Sequence, residues 1–337
     1  MRFAFLIVSV FFSLFATCQE RRFSYAEIKM GSPFRIVLYA KDSATAHALA
    51  RASWQLVDSL NTVFSDYIPD SELNRLSATS GKDSFVAVSA HLYTLFLRAE
   101  QAWKLSGGRF DITIGALTHA WRRWRKTKTF PPADSIDAAQ KKTGFSKVVI
   151  DKQGQRIKLT EEGMQLDLGG IAAGYVAGSV VRFLTSNGIS TALADASGDI
   201  VCSGSPPGTP GWTIGVNMPG KENTLLPRTI TLSGRSVSTS GDVFQYMEHK
   251  GKRYSHIIDP QTGYGVTTQR NVTVIAVDGA TADWLASACS ILPLKRAKAL
   301  ARSTGSEVLI TEMRNGRLHS FGTKGFKNYW NKQNDIQ

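Results

Sequence analysis

The residues of this chain that could do chemistry gather in four short stretches. Gln165–Gly178 (QLDLGGIAAGYVAG) ends an apolar segment with Asp167 and follows it with Gly169-Gly170, which open a helix. Helix starts leave N–H groups unpaired and favour phosphates, and glycine lets a ligand approach the backbone closely. Tight helix packing explains the same glycines equally well. Asp195–Asp199 (DASGD) ends a strand in a small-residue turn. Thr239-Ser240-Gly241-Asp242 precedes Tyr254–Gly263 (YSHIIDPQTG), in which His256 sits on a strand with an Asp-Pro turn three residues on. Such a histidine is either a proton carrier or a satisfied structural group. In Ala282–Ala288 (ADWLASA), Asp283 and Ser287 lie four apart and so share a helix face. A carboxylate and a hydroxyl there suit Mg²⁺, which takes oxygen ligands; helix-start charge and small-residue packing account for them as well.

The elements that must hold these groups follow from apolar periodicity. Residues 34–39 (FRIVLY) read as a strand. Residues 43–60 read as a helix with Ser43 as N-cap, and Ser89 starts a second helix ended by Gly107-Gly108. Residues 147–150 and 156–159 flank a turn as a hairpin, and a third helix covers about 170–186. Strands are expected at 191–195, 212–217, 228–232, 253–259, 271–277 and 307–311. A fourth helix begins near Thr281 and breaks at Pro293. Without regular βαβ alternation, the pattern predicts an α+β fold.

The chain has 337 residues, 42% hydrophobic and 20% charged, with a formal net charge of +13. This suits one large domain or two modest ones and excludes a disordered chain. Cys18, Cys202 and Cys289 are too few and too scattered for a disulfide framework or a thiolate zinc site. Residues 1–18 (MRFAFLIVSVFFSLFATC) have a charged start, a short apolar core and a small-residue exit, the layout of a secretory signal. Ala16-Thr17-Cys18 reads as a lipobox with Phe15 in place of the usual leucine, so Cys18 is the expected lipid attachment point on an exported, periplasm-facing domain of residues 19–337. Trp121–Phe130 (WRRWRKTKTF) puts five cations among aromatics. It reads as a solvated basic loop that meets anionic headgroups or an acidic partner, not as a nucleic-acid site.

Together and in this order, the four stretches resemble the FAD:protein FMN transferase (ApbE) family, from about Met30 to about Ile310. The resemblance also includes Met30-Gly31, Phe64–Tyr67 (FSDY), Asp70-Ser71-Glu72 and Gly107–Thr113 (GGRFDIT). It implies an ApbE-like fold of mixed and antiparallel sheets with packed helices, and a cofactor cleft between two interwoven lobes. It implies Mg²⁺-dependent transfer of the FMN half of FAD to a Thr or Ser hydroxyl of an acceptor flavoprotein, with AMP leaving. By the same resemblance Asp283, Ser287 and the Gly170 carbonyl hold the metal, while Met30, Tyr67, Arg109, Phe110, Asp111, Asp167, Ala173 and Ile257 match FAD-contacting positions. His256 is the candidate for accepting the target hydroxyl's proton, with Asp242 and Asp259 as alternatives.

This chain departs from the family pattern at Ala173 (lysine or glutamate is usual), Ser197 (glycine), Gln261 (arginine) and Ser287 (threonine, whose hydroxyl is kept). The alternatives to transfer are a Mg²⁺-dependent FAD pyrophosphatase giving FMN and AMP, and a lipoprotein that binds FAD without chemistry. A dehydrogenase is disfavoured, because no G-x-G-x-x-G follows a strand.

Overall fold

Strands β1 (Arg21–Lys29) and β2 (Ser32–Ala40) open the fold as a hairpin over Met30-Gly31, both at positive φ, the turn geometry that matches strand twist. The computed structural model describes residues 19–219, 224–241 and 245–331. The signal-like segment with Cys18, and Asp242, lie outside the described residues.

Helix α1 (Ser43–Phe64) follows, then α2 (Glu72–Ser77), β3 (Val86–Ala87) and α3 (Ala90–Ser106). The N-cap of α1 is Asp42, not Ser43: its carboxylate accepts the Thr45 N–H at 2.7 Å. Ser89 caps α3 as expected, and Gly107 ends it in the left-handed region. Next come α4 (Gly115–Thr127), α5 (Ala133–Lys141), β4 (Val148–Asp151), β5 (Arg156–Leu159) and α6 (Ala172–Ser186). Two corrections fall here. The basic segment is not a loop, because Trp121–Thr127 is the second half of α4, anchored by buried Leu117 and Trp121. Gly169 and Gly170 form the turn before α6, which starts at Ala172 after Ile171.

The remainder is β6 (Ala192–Ala196), β7 (Asp199–Ser203), β8 (Trp212–Asn217), β9 (Leu225–Leu232), β10 (Ser236–Gly241), β11 (Tyr246–His249), β12 (Lys252–Ser255), β13 (Arg270–Ala276), α7 (Gly279–Ile291), α8 (Leu294–Ser303), β14 (Glu307–Arg314) and β15 (Arg317–Gly322). The expected strand at 253–259 stops at Ser255, so His256 stands on the loop beyond it. Helix α7 starts two residues before Thr281, capped by Asp278, and Pro293 separates it from α8.

Eight strands form the main sheet in the order β1-β2-β6-β7-β10-β13-β14-β15, and every neighbouring pair is antiparallel. The α+β class thus holds, with its packed helices. Alternation along each strand gives the sheet two apolar faces. Ile36, Leu38, Val272 and Val274 face α1, α6 and α7 in the principal core, with Val176, Val180 and Leu285 from the helices. Val37, Cys202, Val237 and Ile275 face the other way, under the β8–β9 hairpin with Trp212, Ile214 and Ile230. Each large side chain so buried contributes about 1.5–3 kcal/mol. Leu117, Trp121, Ile136 and Ile258 form a third, smaller cluster. Cys202 and Cys289 are free and buried. Among the described residues no helix is long and apolar enough to cross a membrane.

Two local features position the site. Helices α6 and α7 touch backbone to backbone: a Cβ on Gly174 would lie 2.1 Å from the Gly279 carbonyl oxygen. In addition, β10 pairs with β7 only through Ser236 and Val237, while β13 accompanies it to Gly241. Beyond Val237 the sheet divides.

Candidate active site

A cavity of about 410 Å³ opens at this division, and most of the expected site residues line it: Tyr67, Arg109, Phe110, Asp111, Asp167, Gly170, His256, Ile257, Asp283 and Ser287. Two do not. Met30 lies in the β1–β2 turn and Ala173 in the first turn of α6, and both pack against the principal core instead.

One wall is built by the α6–α7 contact. Asp278 caps α7 through the Thr281 N–H at 3.1 Å and is itself held by Arg98 at 2.7 Å, which fixes the helix start. Asp283, one turn in, is buried, and its Oδ2 accepts the Gly174 N–H at 3.1 Å. Ser287 follows on the same face, and a Cβ on Gly170 would come within 2.9 Å of its Oγ, so only glycine lets these two groups meet. Asp199, at the start of β7, faces the same cavity and accepts from the Ser238 hydroxyl. Burial opposes ionisation here, and at Asp199 the Asp195 carboxylate adds to it against the Ser238 hydroxyl. Asp199 is pushed up to about 7, while Asp283 is raised well above the carboxylate range by burial and then by Asp199. Two carboxylates crowded in this way call for a cation. Among the described residues no three His, Cys, Asp or Glu side chains cluster as a metal site, so an ion here would draw on the Gly170 carbonyl and the Ser287 hydroxyl beside Asp283. That oxygen-only set suits a hard cation such as Mg²⁺.

Helix α4, misread from the sequence, supplies the opposite chemistry. Arg122 forms ion pairs with Asp66 and, at 2.8 Å, with Asp167, and its guanidinium lies 4.4 Å from the centre of the Tyr67 ring. His119 joins the cluster through Asp66 at 3.0 Å. Desolvation pulls the Asp66 pKa upward, but the His119 hydrogen bond and Arg122 outweigh it and hold it below its ordinary value. Tyr67, backed by Arg122, is 74% exposed, so the ring is open to a flat partner. Asp167 also accepts the Gly169 N–H at 2.8 Å, which ties the glycine turn to this cluster. A run of cations reads as a solvated face in sequence. The available signal was the helical spacing of Leu117, Trp121 and Trp124, which makes Arg122 and Arg125 parts of an amphipathic helix.

Asp111 braces its own loop: its carboxylate accepts the Thr113 N–H and hydroxyl at 2.9 and 2.6 Å and the Phe145 N–H at 3.0 Å. Burial, the largest influence, still raises its pKa. Arg109 pairs with Asp259, so that carboxylate is engaged as a brace. Gln261 donates to the Gly107 carbonyl at 3.1 Å and Trp121 to that of Gly263 at 2.8 Å, which fixes the Asp-Pro-Gln-Thr-Gly turn. Ser197 takes the left-handed conformation (φ 58°) that glycine would take without strain.

His256 shares a wall of the cavity with Gln245 and Arg125. Its ring faces open space, yet protein surrounds it closely. That desolvation leads in lowering its pKa; the Gln245 carbonyl opposes it, and Arg125 and Arg122 reinforce it. Nδ1 lies 3.2 Å from the Gln245 carbonyl oxygen, which also accepts the His256 backbone N–H at 2.9 Å; an Nδ1–H suits that acceptor and leaves the lone pair on Nε2.

The comparisons with known proteins point to one family. The model of the ApbE family matches residues 30–310. An FAD:protein FMN transferase of Klebsiella pneumoniae (strain 342) is 32% identical over 265 residues, 78% of this chain and 80% of its own. One from Treponema pallidum (strain Nichols) is 32% identical over 297 residues, 84% and 82%. The apo flavinyl transferase ApbE of Pseudomonas stutzeri superposes with a TM-score of 0.81 at 28% identity, covering 92% of this chain and 97% of that one. The ApbE protein of Thermotoga maritima superposes at 0.82 and 27%, covering 92% and 99%.

Proposed function

This chain belongs to the ApbE family, a transferase enzyme by that kinship, and from that premise we propose that it moves the FMN half of FAD onto a Thr or Ser hydroxyl of an acceptor flavoprotein, releasing AMP. The observation that carries the proposal is the pairing, within one cavity, of a crowded buried carboxylate site with a histidine whose Nδ1 rests on a backbone carbonyl.

The chemical difficulty is attack by a weak nucleophile on an anionic pyrophosphate. The acceptor oxygen forms a bond to the phosphorus of the FMN half, and the bond from that phosphorus to the bridging oxygen breaks. AMP leaves with the electron pair. The hydroxyl proton passes to Nε2 of His256, which is held neutral for the purpose. Asp283, the Ser287 hydroxyl and the Gly170 carbonyl would hold Mg²⁺, which supplies charge neutralisation to the phosphates when bound. Tyr67 offers its face to a flat ring, and Asp167 offers a carboxylate to the hydrogen-bond donors of the dinucleotide. Arg122 keeps both in place.

Incubation with FAD, Mg²⁺ and a tagged acceptor tests this by in-gel flavin fluorescence and mass spectrometry. Covalent FMN on the acceptor with stoichiometric AMP is expected. Free FMN and AMP with no labelled acceptor would replace transfer by hydrolysis, and intact FAD after long incubation would leave only binding.

A further inference from the structure

The cavity just described is one of a pair. A second, of about 480 Å³, lies beside it, and Thr239, Gly241, Gln245 and His256 line both. A group entering through the second cavity therefore reaches His256 without crossing the first. The division of the main sheet creates this arrangement. The Arg235 carbonyl accepts the Cys202 N–H at 3.1 Å, so every second residue of the strand from Arg235 turns its backbone groups toward β7. By that alternation Thr239 and Gly241 do so too, but pairing with β7 has ended at Val237, and among the described residues no strand stands opposite them. An unpaired edge of this kind is a template for an extended chain.

The wall beyond carries recognition chemistry. Arg35 of β2 lines the second cavity and is exposed. Asp195 is its partner in strand register, yet Arg35 forms no ion pair among the described residues. Asn271, 3% exposed, lines the same wall with an Oδ1 that has no hydrogen-bond partner. The Arg35 cation, in a cavity that Asp195 also lines, fits a carboxylate, and the orphaned Asn271 acceptor beside an open strand edge fits a polypeptide N–H.

We propose that the second cavity receives the acceptor protein: an extended segment pairs with the Thr239–Gly241 edge, sets its Ser or Thr hydroxyl against His256, and places a neighbouring carboxylate against Arg35. This deepens the transfer reading and rests on it. The probes are synthetic peptides with one central Thr among Gly and Ala, carrying either Asp or Lys beside it, given to the full chain with FAD and Mg²⁺. Arg35→Glu is expected to raise KM for the Asp peptide about tenfold and to reverse the preference toward the Lys peptide. FAD affinity, measured by fluorescence, should not change. Thr239→Pro removes the edge N–H, keeps the backbone ladder to β13 though it loses the hydroxyl contact with Thr273, and is expected to raise KM for both peptides. Labelling with unchanged KM and unchanged preference in Arg35→Glu would overturn the docking site alone. If the unsubstituted chain binds FAD but labels no peptide, transfer to a hydroxyl falls, and the site falls with it.

Discussion

At the scale of single residues, a histidine that serves as base must be deprotonated. His256 meets that condition because desolvation and two nearby arginines hold its pKa below the ordinary value of about 6.5. The transfer rate is therefore expected to climb with pH up to that lowered pKa and stay flat through neutrality. Arg125→Gln removes one of the charges responsible and should move the rising limb to higher pH. His256→Ala should cost about 10²–10⁴ in rate with FAD still bound; labelling kinetics across pH checks all three. On the proposed metal site, Mg²⁺ is expected to raise the melting temperature, by about 2.7 kcal/mol of stabilisation when the ion is a hundredfold above its Kd, and Asp283→Asn is expected to abolish that rise. Much of this was legible in the sequence. The four-residue spacing of Asp283 and Ser287 places them on one face, and family likeness adds Gly170, whose closeness to Ser287 comes from a fold contact that no local pattern shows. Asp199 was visible only as the end of a small-residue turn, because its pairing with Asp283 joins two distant elements.

Among elements, α4 is where sequence reasoning failed, and the cause is plain. Arg122 finds its partners in Asp66 and Asp167, which lie 56 and 45 residues away, so its cations could be read only as solvent-facing. Arg122→Ala leaves Asp167 without its counter-charge and Asp66 with His119 alone, and should cost about 1.5–3 kcal/mol. FAD affinity should fall in step as Tyr67 loses its support. Arg122→Lys should recover only part, since an ammonium cannot bridge both acids as a guanidinium does; urea midpoints and FAD titration measure the two effects. The α6–α7 crossing invites a second test. A methyl at position 174 must push against the Gly279 carbonyl and lies only 3.0 Å from the Asp283 Cβ. Gly174→Ala is thus expected to lose about 1–3 kcal/mol and to weaken stabilisation by Mg²⁺, both visible in melting curves. The helices and strands that carry the core were readable because their periodicity is strong. The shorter pieces, β7 and β11 among them, hold their place through neighbours rather than pattern.

For the molecule as a whole, the α+β arrangement follows from strands and helices without βαβ alternation, whereas the division of the sheet follows from where β7 and β10 happen to part, a property of register that no composition encodes. We propose that the domain is exported and lipid-anchored through Cys18. Cys18→Ser should move the protein from the membrane fraction to the soluble periplasmic one, while the labelling activity of the released chain persists. The two cavities meeting at His256 carry a consequence for kinetics. Because each substrate has its own way in, dinucleotide and acceptor can occupy the enzyme together, and neither has to leave before the other arrives. Initial rates over a grid of both concentrations should give double-reciprocal lines that intersect; parallel lines would mean that a flavinylated enzyme forms first and that the shared wall is not where the substrates meet.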